Sequence, residues 1–291
     1  MAEACLDADE QTSLLQYQVD MGAKSSADLW TRTRTGIRDC PISVAVSAFD
    51  YVHPQTWGQT VPLCTFGFNQ SPINFWPKDA VEHASKLTTN YKLTADLTFS
   101  NNGHAVEVDS ENPSVSLGSI QLQVPFLQEG SPVTYGVKQF HMHHPSEHTL
   151  AGRHFDGELH IVHGVTNAAP GDAPTPLAVV GLWLESCGAC ADNPCLSALL
   201  TKDMPAAGCG FELDSFDLSC FSQELSGPFY SYQGSLTTPA CAETVTWSVM
   251  ATPVQISGAQ LAALVSAVHI DNRPTQVVGN RSVYFTSFQS P

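Results

Sequence analysis

From Phe49 onward the chain reads as short apolar or alternating runs separated by turn residues. Residues 92–99 alternate, with Leu93, Ala95, Leu97 and Phe99 on one side, and residues 120–124 and 137–143 repeat the pattern. Successive side chains of an extended backbone point to opposite faces, so this alternation predicts strands. Residues 159–165, 177–184 and 244–250 are β-branched or apolar runs of strand length and predict three more. Asn102-Gly103, Asp156-Gly157, Pro170-Gly171 and Gly227-Pro228 supply turns. Two helices are expected, one over 195–200 after Asn193-Pro194, the other over 258–268 with Ser257 as its cap. Residues 1–45 carry no sustained period, although Leu14, Leu15, Tyr17 and Val19 suffice for one short element. No repeat or low-complexity tract interrupts the rest. The expected organisation is an N-terminal extension, 1–45, and one mainly β domain, 46–291, with a large sheet and a few short helices.

Composition narrows the function. The 291 residues are 43% apolar, enough for a sizeable core, and Asp plus Glu outnumber Lys plus Arg by 28 to 12, a net charge of −16. Such a surface repels nucleic acid and anionic membranes. The densest basic stretch, Arg32, Arg34 and Arg38, is too sparse to hold phosphate. No apolar run approaches the roughly 18 to 20 residues of a membrane-spanning helix. The first residues, with Glu3, Asp7, Asp9 and Glu10, lack a basic-then-apolar leader pattern. Nine cysteines favour an oxidising compartment, and their odd number leaves at least one free or available to link chains. Cys187-x-x-Cys190 has no second C-x-x-C to complete a zinc knuckle, so the stretch holding Cys187, Cys190, Cys195, Cys209 and Cys220 reads better as a disulfide-tied surface segment.

Eight of the eleven histidines fall between His104 and His163. In the strand through Gln139-Phe140-His141-Met142-His143 the two histidines share one face while Phe140 and Met142 face the other. A second strand carries Glu158, His160 and His163. If the two strands are antiparallel neighbours, His160 joins the first pair, and three neutral imidazoles make a tetrahedral zinc site with its fourth position open. Histidines alone leave two readings standing: this metal site, or half-buried structural strands. Three histidines also accept cobalt or iron.

Longer strings separate the two. Gln139-Phe-His-Met-His-His-Pro-Ser-Glu-His148, Asn101-Asn-Gly-His104, Glu158-Leu-His-Ile-Val-His163 and Gly234-Ser-Leu-Thr-Thr-Pro239 resemble the signatures of the α-class carbonic anhydrases, in the same order. Gln70-Ser-Pro-Ile73, Asn272-Arg-Pro274 and Asn280-Arg281 add to the resemblance, which runs from about Phe49 to Phe288. The short loop before Ser146-Glu147-His148 is similar to the plant, algal and bacterial branch. The resemblance implies a twisted, mostly antiparallel sheet of about ten strands with peripheral helices. The implied activity is reversible hydration of carbon dioxide to bicarbonate and a proton by a zinc-bound hydroxide.

It also implies roles. His141, His143 and His160 are the expected zinc ligands, with Gln139 accepting from His141 and Glu158 from His160. Thr237 is expected to donate to Glu147 and so accept from the nucleophile, aiming it at the substrate. Val162, Val179, Leu236, Thr238 and Trp247 match the lining of a small apolar substrate pocket. His104 matches the proton shuttle, since imidazole carries protons both ways near neutral pH. Tyr51 and Asn102 match residues that organise the intervening water. Glu107 stands where the family more often has an amide or apolar residue. His144, His148 and His163 are expected to be structural. Cys64 and Cys241 match a disulfide of extracellular members, which points to a secreted, periplasmic or organelle-lumen protein. The implied partner is the small-molecule substrate, with linkage between chains left open by the extra cysteines. Two other readings stand beside this one: a non-catalytic binding, storage or matrix relative, and a zinc esterase, for which no Ser-His-Asp pattern is evident.

Overall fold

The computed structural model describes residues 40–46, 49–110, 112, 114–127, 131–166 and 176–287. The expected N-terminal element, the Pro170-Gly171 turn, Arg32, Arg34, Arg38 and Cys5 lie outside them. The strands are β1 (Ile42–Ser43), β2 (Asn74–Phe75), β3 (Val81–Glu82), β4 (Lys86–Tyr91) and β5 (Leu93–Asn101). They continue with β6 (Val106–Asp109), β7 (Gly118–Gln123), β8 (Val133–His143), β9 (Thr149–Leu150) and β10 (Gly157–Val165). The last are β11 (Leu177–Ser186), β12 (Cys209–Asp217), β13 (Phe229–Gly234), β14 (Val245–Ile256) and β15 (Tyr284–Thr286).

Thirteen strands form one sheet, in the order β1-β12-β5-β6-β8-β10-β11-β14-β13-β15-β3, with β4 and β7 joined through β8. Pairing is antiparallel except for β11 with β14 and β15 with β3. Thirteen strands exceed the about ten that the resemblance implied; three of them, β1, β3 and β15, have only two, two and three residues. β2 and β9 make a separate parallel pair.

The period-2 pattern divides the sheet into two apolar faces. Phe140, Met142, Leu159, Ile161, Ala178, Val180 and Leu182 enter the larger core, under helix Gly258–Ala267. Val179, Trp183, Trp247, Val249 and Tyr232 enter a second cluster on the other face, with Val162 against it. His141, His143 and His160 alternate with the first set and so project on the second face.

Two expectations change. Leu97 and Phe99 are buried as the alternation required, but Leu93 is 66% exposed and Ala95 is exposed. Asp96 sits between them at φ 58, a left-handed residue that breaks the pleat and turns the start of β5 outward. The helix expected over 195–200 is a single 3₁₀ turn, Pro194–Leu196, capped by the Asn193 side chain on the Cys195 N–H. Leu199 and Leu200 N–H both bond back to the Leu196 carbonyl, but Thr201 N–H reaches only Leu199, so the turns end there without forming a regular α-helix. Helix Gly258–Ala267 forms where expected, with a capping box between Ser257 and Gln260.

Candidate active site

The site is built from lateral rows of paired strands. Glu107 of β6 lies opposite His141 of β8, His141 opposite His160 of β10, and His160 opposite Gly181 of β11. One row along, Gln139, Val162, Val179 and Trp247 face one another in sequence across β8, β10, β11 and β14. The residues expected to bind metal and those expected to line the pocket are therefore adjacent rungs of one ladder. Val179 and Trp247 are buried, while Val162, Leu236 and Thr238 are half-buried at the open side.

The three imidazoles converge. Their ring centroids are 4.9–5.2 Å apart, and one nitrogen from each lies within 4.8 Å of the others. The remaining nitrogens are fixed from behind. His141 Nδ1 meets Gln139 Oε1 at 2.7 Å, and His160 Nε2 meets Glu158 Oε1 at 3.0 Å. His143 Nδ1 meets the Asp271 carbonyl at 3.2 Å, with the Asp271 carboxylate at 3.3 Å. These contacts leave His141 Nε2, His143 Nε2 and His160 Nδ1 facing the centre.

Electrostatics separates the three rings. Burial holds His141 well below the usual histidine range, and neighbouring His143 and His160 push it further down. Burial also lowers His160, against the opposing pull of Glu158. On His143 burial acts downward too, but Glu147 and Asp271 outweigh it and raise the ring to about 10. Glu147 Oε2 stands 3.6 Å from His143 Nε2 and 3.9 Å from His160 Nδ1. That oxygen and His143 Nε2 are buried polar atoms with no hydrogen-bond partner. Three converging imidazole nitrogens, with an unpartnered buried carboxylate oxygen beside them, are a donor set that fits a divalent metal with nitrogen ligands.

The support behind Glu158 runs deep. Its carboxylate accepts from His148 N–H and faces His148 Nδ1, both at 2.8 Å. His148 Nε2 meets the Tyr232 hydroxyl at 2.7 Å, and Tyr232 donates to Ser71 Oγ, which accepts from Ser235 N–H. Burial would push Glu158 up, but His148 and His160 hold it far below the ordinary carboxylate range. Gly181 makes room for it, because a Cβ there would lie 2.9 Å from Glu158 Oε1. His148, expected only to be structural, thus joins the histidine site to the β13 side of the sheet. Asp271 and Gly181 were not singled out in the sequence. Asp271 directly precedes the Asn272-Arg-Pro274 string, the signal that could have found it.

Thr237 and Glu147 sit on separate loops with a common brace. Arg273 N–H donates to Glu147 Oε1, and its guanidinium donates to the carbonyls of Ser71 and Cys64. Cys64 is bonded to Cys241, and Cys241 N–H donates to the Thr238 carbonyl at 2.7 Å. Trp247 Nε1 holds the Ser235 carbonyl at the start of the same loop. No hydrogen bond joins Thr237 to Glu147 among the described residues. The free carboxylate oxygen turns instead toward the histidines.

His104 is half-buried on the turn after β5, stacked on Phe49 with ring centroids 4.3 Å apart and edge-on to Tyr51. The Asn102 side chain accepts from the N–H groups of His104 and Ala105, so it shapes this turn. The Tyr51 hydroxyl is buried with no hydrogen-bond partner. Glu107 accepts from Gln139 Nε2 at 3.2 Å, and burial followed by the charge of Asp109 raises its carboxyl to about 8.

Comparison with known proteins agrees with this geometry. Residues 52–287 match the model of the eukaryotic-type carbonic anhydrases. A carbonic anhydrase of a Nostoc species is 35% identical over 246 residues, covering 80% of this chain and 82% of its own. The α-carbonic anhydrase of Thermovibrio ammonificans, solved with the inhibitor sulfanilamide, superposes with a TM-score of 0.67 at 29% identity, over 83% of this chain and 99% of its own. Dioscorin, solved with ascorbate, superposes with a TM-score of 0.68 at 27% identity, over 85% of this chain and 99% of its own. The ladder of histidines, the loops braced around it and the match over 52–287 place the chain in the eukaryotic-type, or α, carbonic anhydrase family.

Proposed function

We propose that the chain is a zinc enzyme hydrating carbon dioxide reversibly to bicarbonate and a proton, with His141, His143 and His160 as ligands. The observation that carries this reading is the convergence of three inward-facing imidazole nitrogens, each ring fixed by its own acceptor. Bound there, zinc would supply Lewis acidity and so a hydroxide nucleophile near neutral pH, chemistry for which carbonic anhydrases are the reference case.

The chain's own residues do the rest. Gln139, Glu158 and the Asp271 carbonyl fix the tautomer and tilt of each ring. Val162, Val179, Leu236 and Trp247 hold an uncharged, apolar substrate by shape and dispersion, with Thr238 at the edge. Thr237 accepts from the nucleophile by donating its only proton to Glu147 Oε2, which has no hydrogen-bond partner in this structure. His104 takes the released proton outward past Tyr51, and its stacking on Phe49 holds the ring beside the cavity wall.

The catalytic unit is 46–291. Residues 1–45 form an extension whose last part, Cys40 and β1, is fastened to β12. Disulfides Cys40–Cys209, Cys64–Cys241, Cys187–Cys190 and Cys195–Cys220 support a secreted, periplasmic or organelle-lumen location. No helix among the described residues is long and apolar enough to cross a membrane. A second reading, a binding protein, draws on the likeness to dioscorin, which was solved with ascorbate. Retention of all three histidines and their acceptors speaks against it.

Elemental analysis tests the assignment. Purified protein should carry about one zinc per chain, and His160→Ala should lose it. Full zinc in His160→Ala refutes the ligand set.

A further inference from the structure

The four disulfides are unequal in what they join. Cys40–Cys209 and Cys64–Cys241 link residues 169 and 177 apart, and Cys195–Cys220 links residues 25 apart. Cys187–Cys190 links residues only 3 apart, in Cys187-Gly-Ala-Cys190. A cross-link stabilises a fold mainly by restricting the unfolded chain, with an effect on the folding equilibrium scaling roughly as loop length to the power 3/2. For separations of 25 against 3 residues, Cys187–Cys190 should contribute about 20-fold less than Cys195–Cys220. It is a poor staple.

It is also the most open of the four. Both its residues are exposed, whereas each other bond has at least one half-buried or buried partner. A Cβ at Gly188, which turns the chain at φ +74, would meet nothing within 4 Å. The two exposed cysteines are open to an attacking thiolate, with the Ile256 carbonyl, 3.2 Å from Cys187 Sγ and 3.7 Å from Cys190 Sγ, covering one side of the bond.

The backbone around the bond is held without it. Cys187 N–H donates to the Ile256 carbonyl, and Gly258 N–H donates to the Gly188 carbonyl. Asn193 N–H donates to Gln260 Oε1, Gln260 Nε2 to the Asn193 carbonyl, and Asn193 Nδ2 to the Gln255 carbonyl. These contacts fasten the segment to the junction of β14 and helix Gly258–Ala267 on both sides of the cysteine pair. Opening the disulfide would leave its two thiols facing each other.

We propose that Cys187–Cys190 is a reversible thiol–disulfide exchange site that takes electrons from dithiol reductants while the fold and the histidine site stay intact. One thiolate of the reductant attacks Sγ of Cys187 or Cys190, forming a mixed disulfide and releasing the other cysteine as a thiolate. The second thiolate of the reductant displaces the first cysteine and closes its own disulfide. Two electrons and two protons pass from the reductant, leaving two protein thiols and an oxidised dithiol. The site differs from a staple by being reducible without unfolding, and from a zinc knuckle by having no further ligands among the described residues.

The test uses the native full-length protein and dithiothreitol. Non-denatured protein is exposed to increasing reductant, quenched with an alkylating reagent and mapped by peptide mass. Cys187 and Cys190 should be alkylated at reductant concentrations at least tenfold below those that open Cys195–Cys220, and oxidised dithiothreitol should re-form the bond. Cys190→Ser should trap a mixed disulfide at Cys187 with an added monothiol. In urea titrations, Cys187→Ser/Cys190→Ser should change the folding equilibrium about 20-fold less than Cys195→Ser/Cys220→Ser. Reduction of all bonds together, or an equal loss of stability in the two double variants, overturns the proposal.

Discussion

His163 should make the fold sensitive to acid. It lies on β10 two residues beyond Ile161, on the face of the larger core, fully buried. Its Nε2 meets the Tyr91 hydroxyl at 2.9 Å and its Nδ1 faces the Ala178 carbonyl at 3.2 Å. Burial lowers it to about 4, and the carbonyls of Ala178 and Ile161 only partly oppose this. An unfolded histidine titrates near 6.5. With the folded value depressed, stability is complete above pH 6.5 and falls as pH drops toward 4, because only the unfolded chain takes up the proton. A gap of about 2.5 units corresponds to roughly 3 kcal/mol in all, of which about 2.5 kcal/mol is lost between pH 7.5 and pH 4.5. His163→Gln keeps polar groups near Tyr91 but cannot titrate. Urea unfolding of parent and variant at both pH values isolates the effect, since every other titrating group, metal ligands included, cancels in the difference. The variant should be less stable at pH 7.5 yet lose about 2.5 kcal/mol less on acidification. Equal acid losses in the two proteins would refute the assignment of a neutral, desolvated His163.

Gly181→Ala places a methyl against Glu158 Oε1 and Val249; zinc affinity should fall about 10- to 100-fold and stability by about 1 to 3 kcal/mol, measured by competition with a chelator and by urea titration. Thr237→Ala should slow the exchange of carbon dioxide with bicarbonate at any buffer concentration. His104→Ala should leave that exchange nearly intact and slow only steady-state turnover at low buffer, with rescue by added imidazole; an equal loss of exchange in both variants would refute the shuttle role. Cys64→Ser/Cys241→Ser should cost about 2 to 5 kcal/mol in urea titrations and lower activity, since the bond anchors the Thr237 loop.

Much of this was legible in the chain because period-2 patterning fixes faces. Phe140 and Met142 against His141 and His143 set the orientation of β8, and Leu159 and Ile161 against His160 set that of β10. The register that brings the two strands together follows from neither. The sequence also hid long-range support. Asp271 reaches His143 across 128 residues, and Ser71 reaches Tyr232 across 161. Such contacts are set by tertiary packing and leave no local period. Strands β4, β12 and β13 were not predicted. β4 does alternate in burial, but only Leu87 and Tyr91 among its side chains are strongly apolar, so its period is faint in the sequence; β13 is buried almost throughout, and the burial of β12 is irregular. The left-handed Asp96 shows the opposite failure, an intact alternation broken by one backbone conformation.

The central claim, zinc-dependent hydration at the histidine triad, meets its most direct test in stopped-flow hydration of carbon dioxide, followed by a pH indicator. The purified protein, the same protein stripped by a chelator, and the stripped protein resupplied with zinc are compared. Rapid hydration should disappear on stripping, return with about one zinc per chain and be blocked by a sulfonamide. Hydration no faster than the buffer in zinc-loaded protein, or full activity after complete removal of metal, would contradict it.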